Sequence, residues 1–176
     1  MKSLFYGRVP LEAASALIQF QKKGITQELL HNLKYRGQQR IGTFFGKWLG
    51  EELKDINPYT TVDMVIPVPL HKRRLRERGY NQVSTFGKEI ANALQVPFKE
   101  DVLLRVSQTG SQVFKERLTR FGSDHIFTIQ KNEEIQNKHI LIVDDIVTTG
   151  ATLENCAKVI LEKSNAKISF VTIAIA

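Results

Sequence analysis

The chain has one cysteine, Cys156, so it has no partner for an internal disulfide and no set of thiolates for a cysteine-based zinc cage. No apolar run approaches the ~18 residues that a membrane span needs. Repeats and low-complexity tracts are absent. The first twenty residues, MKSLFYGRVPLEAASALIQF, carry one early lysine and a mixed stretch interrupted by Glu12, with no small-residue cleavage site after it. That pattern argues against a secretory signal. These absences together favour a reducing, cytoplasmic setting.

What remains is a chain of 176 residues, 42% apolar, which suits one domain with a sizeable core. Its charge is lopsided: 25 Lys and Arg against 18 Asp and Glu, a net of +7. Such a balance predicts anionic partners, either phosphate-bearing small molecules or nucleic acid. Lys72, Arg73, Arg74, Arg76 and Arg78 fall within seven residues. This cluster reads either as a solvated basic face or as an anion contact.

Periodicity organises the chain. Residues 12–20 read as a short strand or a helix start. Thr26 to Tyr35 reads as a helix capped by Thr26 and stopped by Gly37. Ile41 to Leu53 reads as a second helix with Phe44, Phe45, Trp48, Leu49 and Leu53 as core. Val62 to Val68 reads as a buried strand terminated by Pro67 and Pro69, followed by a basic loop. Tyr80 to Leu94 reads as a helix, and short strands are expected near 102–104 and 126–129. Residues 105–125 are polar, basic and non-periodic, as in a long loop. His139 to Val143 is a continuous β-branched run suited to a strand buried on both faces. Ala151 to Lys163 then reads as a helix and Lys167 to Ile175 as a last strand. Alternating strands and helices predict a parallel α/β sheet with right-handed crossovers. Residues 1–60 would pack on it as a largely helical appendage.

The chemistry concentrates in Ile140 to Leu153, ILIVDDIVTTGATL. In open parallel sheets ligands sit at the carboxyl ends of strands. Asp144 and Asp145 are expected at such an end. The turn through Val147, Thr148, Thr149, Gly150, Ala151 and Thr152 leads into a helix N-terminus, where free amides and the helix dipole favour an anion. Gly150 permits close backbone approach, and the threonines add hydroxyl donors. The two carboxylates would accept from sugar hydroxyls and face away from phosphate. The combination describes a ribose 5-phosphate cradle. A structural alternative is a strand end with Asp caps and a Thr-rich helix start. The chain has no GxxxxGK followed by Ser or Thr, so the acidic pair is not the metal site of a P-loop ATPase. A DxDxT phosphatase motif would need an acid where Ile146 stands.

This segment resembles the signature of type I phosphoribosyltransferases. Val65-Ile66-Pro67-Val68-Pro69-Leu70, Arg73, and Arg78-Gly79-Tyr80-Asn81-Gln82 resemble the competence protein F (ComF/GntX-like) branch of that superfamily. Leu33-Lys34-Tyr35-Arg36-Gly37 resembles a helix-ending segment of the branch, and Gln112, Arg117 and Arg120 its mobile-loop pattern. The likeness implies a type I phosphoribosyltransferase fold, a mostly parallel twisted sheet flanked by helices. In that reading residues 1–60 form a helical hood and 61–176 the core.

The same resemblance implies a ligand, 5-phosphoribosyl-1-pyrophosphate (PRPP), and Mg²⁺. Asp144 and Asp145 would hold the ribose hydroxyls directly or through the metal. The turn from Val147 to Thr152 would hold the 5-phosphate. Pro67, Val68, Pro69 and Leu70 would form the pyrophosphate turn, with Arg73 and Arg78 neutralising charge. Residues 105–125 would close over the ligand and bring Lys115, Arg117 or Arg120 to the leaving group. Relatives commonly begin with a four-cysteine zinc module, which this sequence lacks; a shortened form of such a protein is the expectation. Ser123-Asp124 replaces an Asn-Val pair common in the branch.

Three functional readings follow from the resemblance. One is transfer of ribose 5-phosphate from PRPP to a nitrogen nucleophile with pyrophosphate release, the acceptor being recognised by residues 1–60. Another is a binding protein of natural competence with single-stranded DNA and other competence proteins as partners. The third is a PRPP-sensing regulator. A homodimer is one oligomeric state these readings allow.

Overall fold

The computed structural model describes residues 1–106 and 126–176. Among these residues, the elements in chain order are β1 (Ala13–Gln19), α1 (Ile25–Tyr35), α2 (Gln39–Leu53), β2 (Met64–Pro67), α3 (Lys72–Arg78), α4 (Ser84–Leu94), β3 (Leu103–Arg105), β4 (Phe127–Ile129), β5 (His139–Val147), α5 (Ala151–Lys163) and β6 (Lys167–Ile175). β1, β6, β5 and β2 form a sheet in that order, and every neighbouring pair is parallel. β3 and β4 make a separate antiparallel pair. The segment at 97–99 runs along the free edge of β2 through the bonds Val65 N–H to Pro97 O and Lys99 N–H to Val65 O.

β5 is the central strand and explains the two-sided core. Successive side chains of a strand point to opposite faces. Ile140 and Ile142 therefore join one cluster with Leu153, Cys156 and Phe170. Leu141 and Val143 join the other, with Phe45, Phe86 and Ile90. All four β5 residues are fully buried, as the continuous apolar run predicts.

The structure corrects several sequence expectations. The basic stretch is the helix α3, built from strong helix formers and an Arg73–Glu77 pair four residues apart at 2.7 Å. His71 caps it, its Nδ1 accepting from the Arg73 N–H. α4 begins at Ser84, because Asn81 spends its side chain on a turn: its amide donates to Val68 O and its carbonyl accepts from Val83 N–H. α1 is capped at Gly24 rather than Thr26, whose hydroxyl instead accepts from Gln21 N–H. β2 is shorter than the expected 62–68. Residues 12–20 resolve as β1, which lies in the main sheet, so residues 1–60 contribute a strand as well as α1 and α2.

Phe44 and Trp48 are the largest departure: they are 60% and 48% exposed, whereas Phe45, Leu49 and Leu53 are buried. The reason is a glycine stripe. Gly42, Gly46 and Gly50 face α4 so closely that a Cβ on Gly46 would stand 2.5 Å from Phe86 O. Backbone contact with α4 fixes the rotation of α2 and turns Phe44 and Trp48 outward. No described helix is long and apolar enough to cross a membrane.

Candidate functional site

β5 does not end at the acidic pair. It continues to Val147, paired with β6 through Ile175, so Asp144 and Asp145 are consecutive strand residues. Strand alternation then sends their carboxylates to opposite faces of the sheet. The sequence reading had both facing the sugar, and the geometry separates them.

Asp145 is held on the helical side. Lys34, at the end of α1, pairs with its Oδ1 at 2.9 Å, and Gln82 Nε2 donates to its Oδ2 at 2.6 Å. Gln82 in turn accepts from Arg78 Nη1 at 2.6 Å, and the Arg78 guanidinium lies 4.8 Å from the centre of the Tyr35 ring. Tyr80 donates its hydroxyl proton to Leu33 O. The two segments Leu33–Gly37 and Arg78–Gln82 thus meet around one buried carboxylate.

Asp144 lines a small concavity with Ile146 and residues 147–153. Its Oδ1 accepts from the Asp145 N–H at 2.8 Å. Burial, followed by the neighbouring Asp145 charge, pushes its carboxyl up to about 8. Lys34 and Arg105 act in the opposite direction. Cys156 lies near enough for the Asp144 charge to add to the effect of burial in raising the thiol.

The turn above Asp144 has the features of an anion cradle. Gly150 takes a left-handed φ of 78° and leads into α5. A Cβ there would stand 2.7 Å from the Phe5 ring, so only glycine fits. Thr148, Thr149, Ala151 and Thr152 are exposed. Among the described residues, the amides of Thr148, Thr149, Gly150 and Thr152 have no acceptor, and the Ala151 amide has only a long contact to Thr149 Oγ1 at 3.4 Å. Donors left open at a helix N-terminus favour a bound anion.

The turn Pro67, Val68, Pro69, Leu70 lies beside this cradle. Pro67 pairs in register with Val143, and the Val68 N–H donates to Val143 O at 2.9 Å. The turn therefore leaves the sheet next to Asp144, as the sequence reading required of two motifs some 70 residues apart. A cleft of about 740 Å³ opens on its far side, between Leu70, Leu75 and Tyr80 on one wall and Leu104 and Arg105 on the other. Arg78 sits near the acidic pair, bound to Gln82. Arg73 lies on the exposed side of α3, paired with Glu77. Gln112, Lys115, Arg117, Arg120, Ser123 and Asp124 lie outside the described residues.

Two sets of residues escaped sequence reasoning. Lys34 and Gln82 stood in quoted motifs with no role attached; their partner is distant in the chain. Arg8 carried no signal at all, yet its Nη1 donates to Thr149 O at 2.7 Å and its Nε to Glu154 Oε2 at 2.9 Å.

For Mg²⁺ the donor set is small. Lys34 and Gln82 occupy Asp145, which leaves Asp144 facing the concavity. No group of three or more His, Cys, Asp or Glu gathers among the described residues. An all-protein cage does not fit. A Mg²⁺ that keeps waters and is shared between one or two carboxylates and ligand phosphates does.

The family model for the phosphoribosyl transferase domain matches residues 84–176, just over half of the chain. The chain belongs to this family, and its parallel sheet flanked by helices bears out the type I phosphoribosyltransferase fold. Among curated proteins it is similar to Competence protein ComFC of Bacillus subtilis (strain 168), 32% identical over 140 residues, covering 80% of this chain and 55% of that protein. It is also similar to DNA utilization protein YhgH of Escherichia coli O157:H7, 29% identical over 144 residues, covering 80% of this chain and 63% of that protein. The chain spans about three fifths of the length of these relatives. Among solved structures, adenine phosphoribosyltransferase from Leishmania donovani aligns over 93% of this chain and 84% of its own, at 13% identity and a TM-score of 0.49.

Proposed function

We propose that the chain binds PRPP with Mg²⁺ at the carboxyl end of β5 and β2. The observation that carries this reading is the pairing of Val68 with Val143, which sets the Pro67–Leu70 turn against the strand that carries Asp144 and the cradle. In this reading the amides and hydroxyls of residues 147–152 take the 5-phosphate. Asp144 accepts from the ribose hydroxyls, and Asp145, anchored by Lys34 and Gln82, holds the strand end and its hydrogen-bond frame. The turn and Arg78, with Arg73 further out, face the pyrophosphate. Arg117 acts on the leaving group. Mg²⁺ supplies charge neutralisation where carboxylate and phosphates converge.

These groups suit transfer of ribose 5-phosphate to a nitrogen nucleophile. The bond from ribose C1 to the pyrophosphate oxygen breaks, a C1–N bond forms, and the acceptor nitrogen gives up its proton. Such chemistry needs positioning and charge stabilisation rather than a protein nucleophile. The names of the relatives, a competence protein and a DNA utilization protein, support a role in DNA uptake or use. The exposed Arg40, Phe44, Lys47 and Trp48 on α2 favour a second reading, contact with single-stranded DNA by charge and stacking.

Calorimetry with PRPP and Mg²⁺, beside the Asp144→Asn/Asp145→Asn double variant, tests the ligand. Binding by the wild type and its loss in the variant is the expected result; no binding by the wild type contradicts the reading. Pyrophosphate release across a panel of bases and amines separates transferase from binding protein.

A further inference from the structure

We infer that Arg8 is a positioning residue for the phosphate loop: by holding the Thr149 carbonyl it aims the Gly150 amide at the phosphate. The inference rests on the reading of residues 147–152 as the 5-phosphate cradle.

Peptide geometry couples the two groups. The Thr149 carbonyl and the Gly150 N–H belong to one planar trans peptide, so they point in opposite directions. Whatever fixes the carbonyl on one side commits the N–H to the other. Glycine in the left-handed region is next to this peptide, and glycine tolerates both senses of φ. Left alone, the peptide can turn over and present an oxygen to the phosphate in place of a proton.

Two contacts from the first nine residues oppose that flip. Arg8 Nη1 donates to Thr149 O at 2.7 Å. The Phe5 ring, 1% exposed and edge-on to Phe170, lies against the Gly150 Cα with no room for a Cβ. The guanidinium itself is held in place. It donates through Nε and Nη2 to Glu154 and through Nη1 to Leu4 O at 3.1 Å. Glu154 stands in the first turn of α5, where its own N–H binds Gly150 O at 2.9 Å and its side chain pairs with Lys158 at 2.7 Å. The loop is thus bracketed by Arg8 on one carbonyl and by the start of α5 on the next. Arg8 spends its nitrogens on protein oxygens, so it works through the peptide and not by touching the ligand. Its effect belongs to the 5-phosphate half of the site and not to the pyrophosphate half.

That division sets the experiment on the full chain. Affinities for ribose 5-phosphate, PRPP and inorganic pyrophosphate, with Mg²⁺ present, are measured for the wild type, Arg8→Met and Arg8→Lys. Arg8→Met is expected to weaken ribose 5-phosphate and PRPP by about tenfold to a hundredfold, the scale of one charge-assisted hydrogen bond. Inorganic pyrophosphate should bind unchanged. Arg8→Lys keeps a cationic donor and should recover most of the loss. Equal weakening of all three ligands, or no weakening of any, overturns the inference. A variant-free check covers the case in which Arg8→Met does not fold: the Gly150 amide resonance of the wild type should move downfield on adding ribose 5-phosphate, and an unmoved resonance overturns the inference. A wild type that binds neither ribose 5-phosphate nor PRPP refutes the cradle itself, an outcome distinct from a cradle that binds but ignores Arg8.

Discussion

The two ends of β5 are built from similar materials and differ in what is left open. At the amino end His139 is buried, and both ring nitrogens are engaged: Nδ1 with Thr61 Oγ1 and Nε2 with Ser169 Oγ, each at 2.8 Å. Its backbone N–H donates to Asp63 Oδ2, and its carbonyl accepts from the Asp63 N–H. At the carboxyl end the amides of Thr148, Thr149, Gly150 and Thr152 lack acceptors among the described residues, and Asp144 is held against its own preference for ionisation. Unpaired buried or pre-arranged polar groups cost stability, so a fold keeps them where a ligand can supply the missing partner. A closed polar network holds the sheet together; an open one leaves donors free for a ligand. Both carry titratable groups, and pairing rather than composition tells them apart.

The comparison can be broken first at the loop. Gly150→Val forces a branched side chain into a left-handed φ and into the Phe5 ring. PRPP affinity should fall by more than about a hundredfold, with a stability loss of roughly 2–3 kcal/mol by thermal or urea unfolding. Retained binding would mean that the loop conformation does not matter to the site. The amino end should answer oppositely. His139→Ala takes one hydrogen bond from each of the Thr61 and Ser169 hydroxyls and should cost about 1–3 kcal/mol of stability. PRPP affinity of the folded fraction should stay within about twofold, which one calorimetric titration checks. A selective loss of affinity would erase the distinction between the two ends.

The smallest effect is a pH signature with opposite signs. Burial lowers the His139 imidazole below its ordinary 6.5. Its contribution to stability is therefore full above 6.5 and is lost as the pH falls below it. Asp144 is raised from 3.8 to about 8, so its contribution is full below 3.8 and is lost as the pH rises through about 8. Between pH 6.5 and about 8 only the Asp144 contribution changes, so the ligand-free protein should melt lower along this alkaline limb; below 6.5, on the acid limb, the two contributions run in opposite directions. Asp144→Asn should remove the alkaline decline attributable to that group and leave the acid limb; an alkaline limb unchanged by the substitution contradicts the assignment.

How much of this was legible in sequence depends on the range of the contact concerned. The bounds of α5 and β6 match the reading at both ends, because apolar periodicity and the turn at Gly150 are local signals. The strand, turn and helix start around residues 147–152 were legible for the same reason: they are contiguous. Phe44 and Trp48 were misplaced because their orientation is decided by α4, which meets the glycines of α2 some 40 residues along the chain. α3 was read as a loop because a charged heptad has no apolar period to announce it. Lys34, Gln82 and Arg8 reach Asp145, Thr149 and Glu154 across 63 to 146 residues of chain. Side-chain pairing over such distances leaves no spacing rule to read. The separation of Asp144 from Asp145 was available in principle, since alternation follows once the strand is known to run on to Val147.

On the proposed reading the carboxyl end of β5, and not its amino end, is where the ligand completes the hydrogen bonding. Hydrogen–deuterium exchange with and without PRPP and Mg²⁺ measures this at both ends at once. Protection confined to peptides covering residues 144–152 and 67–70, with Thr61, His139 and Ser169 unchanged, is the predicted result. Protection at the amino end, or none at 148–152 under saturating PRPP, would contradict it.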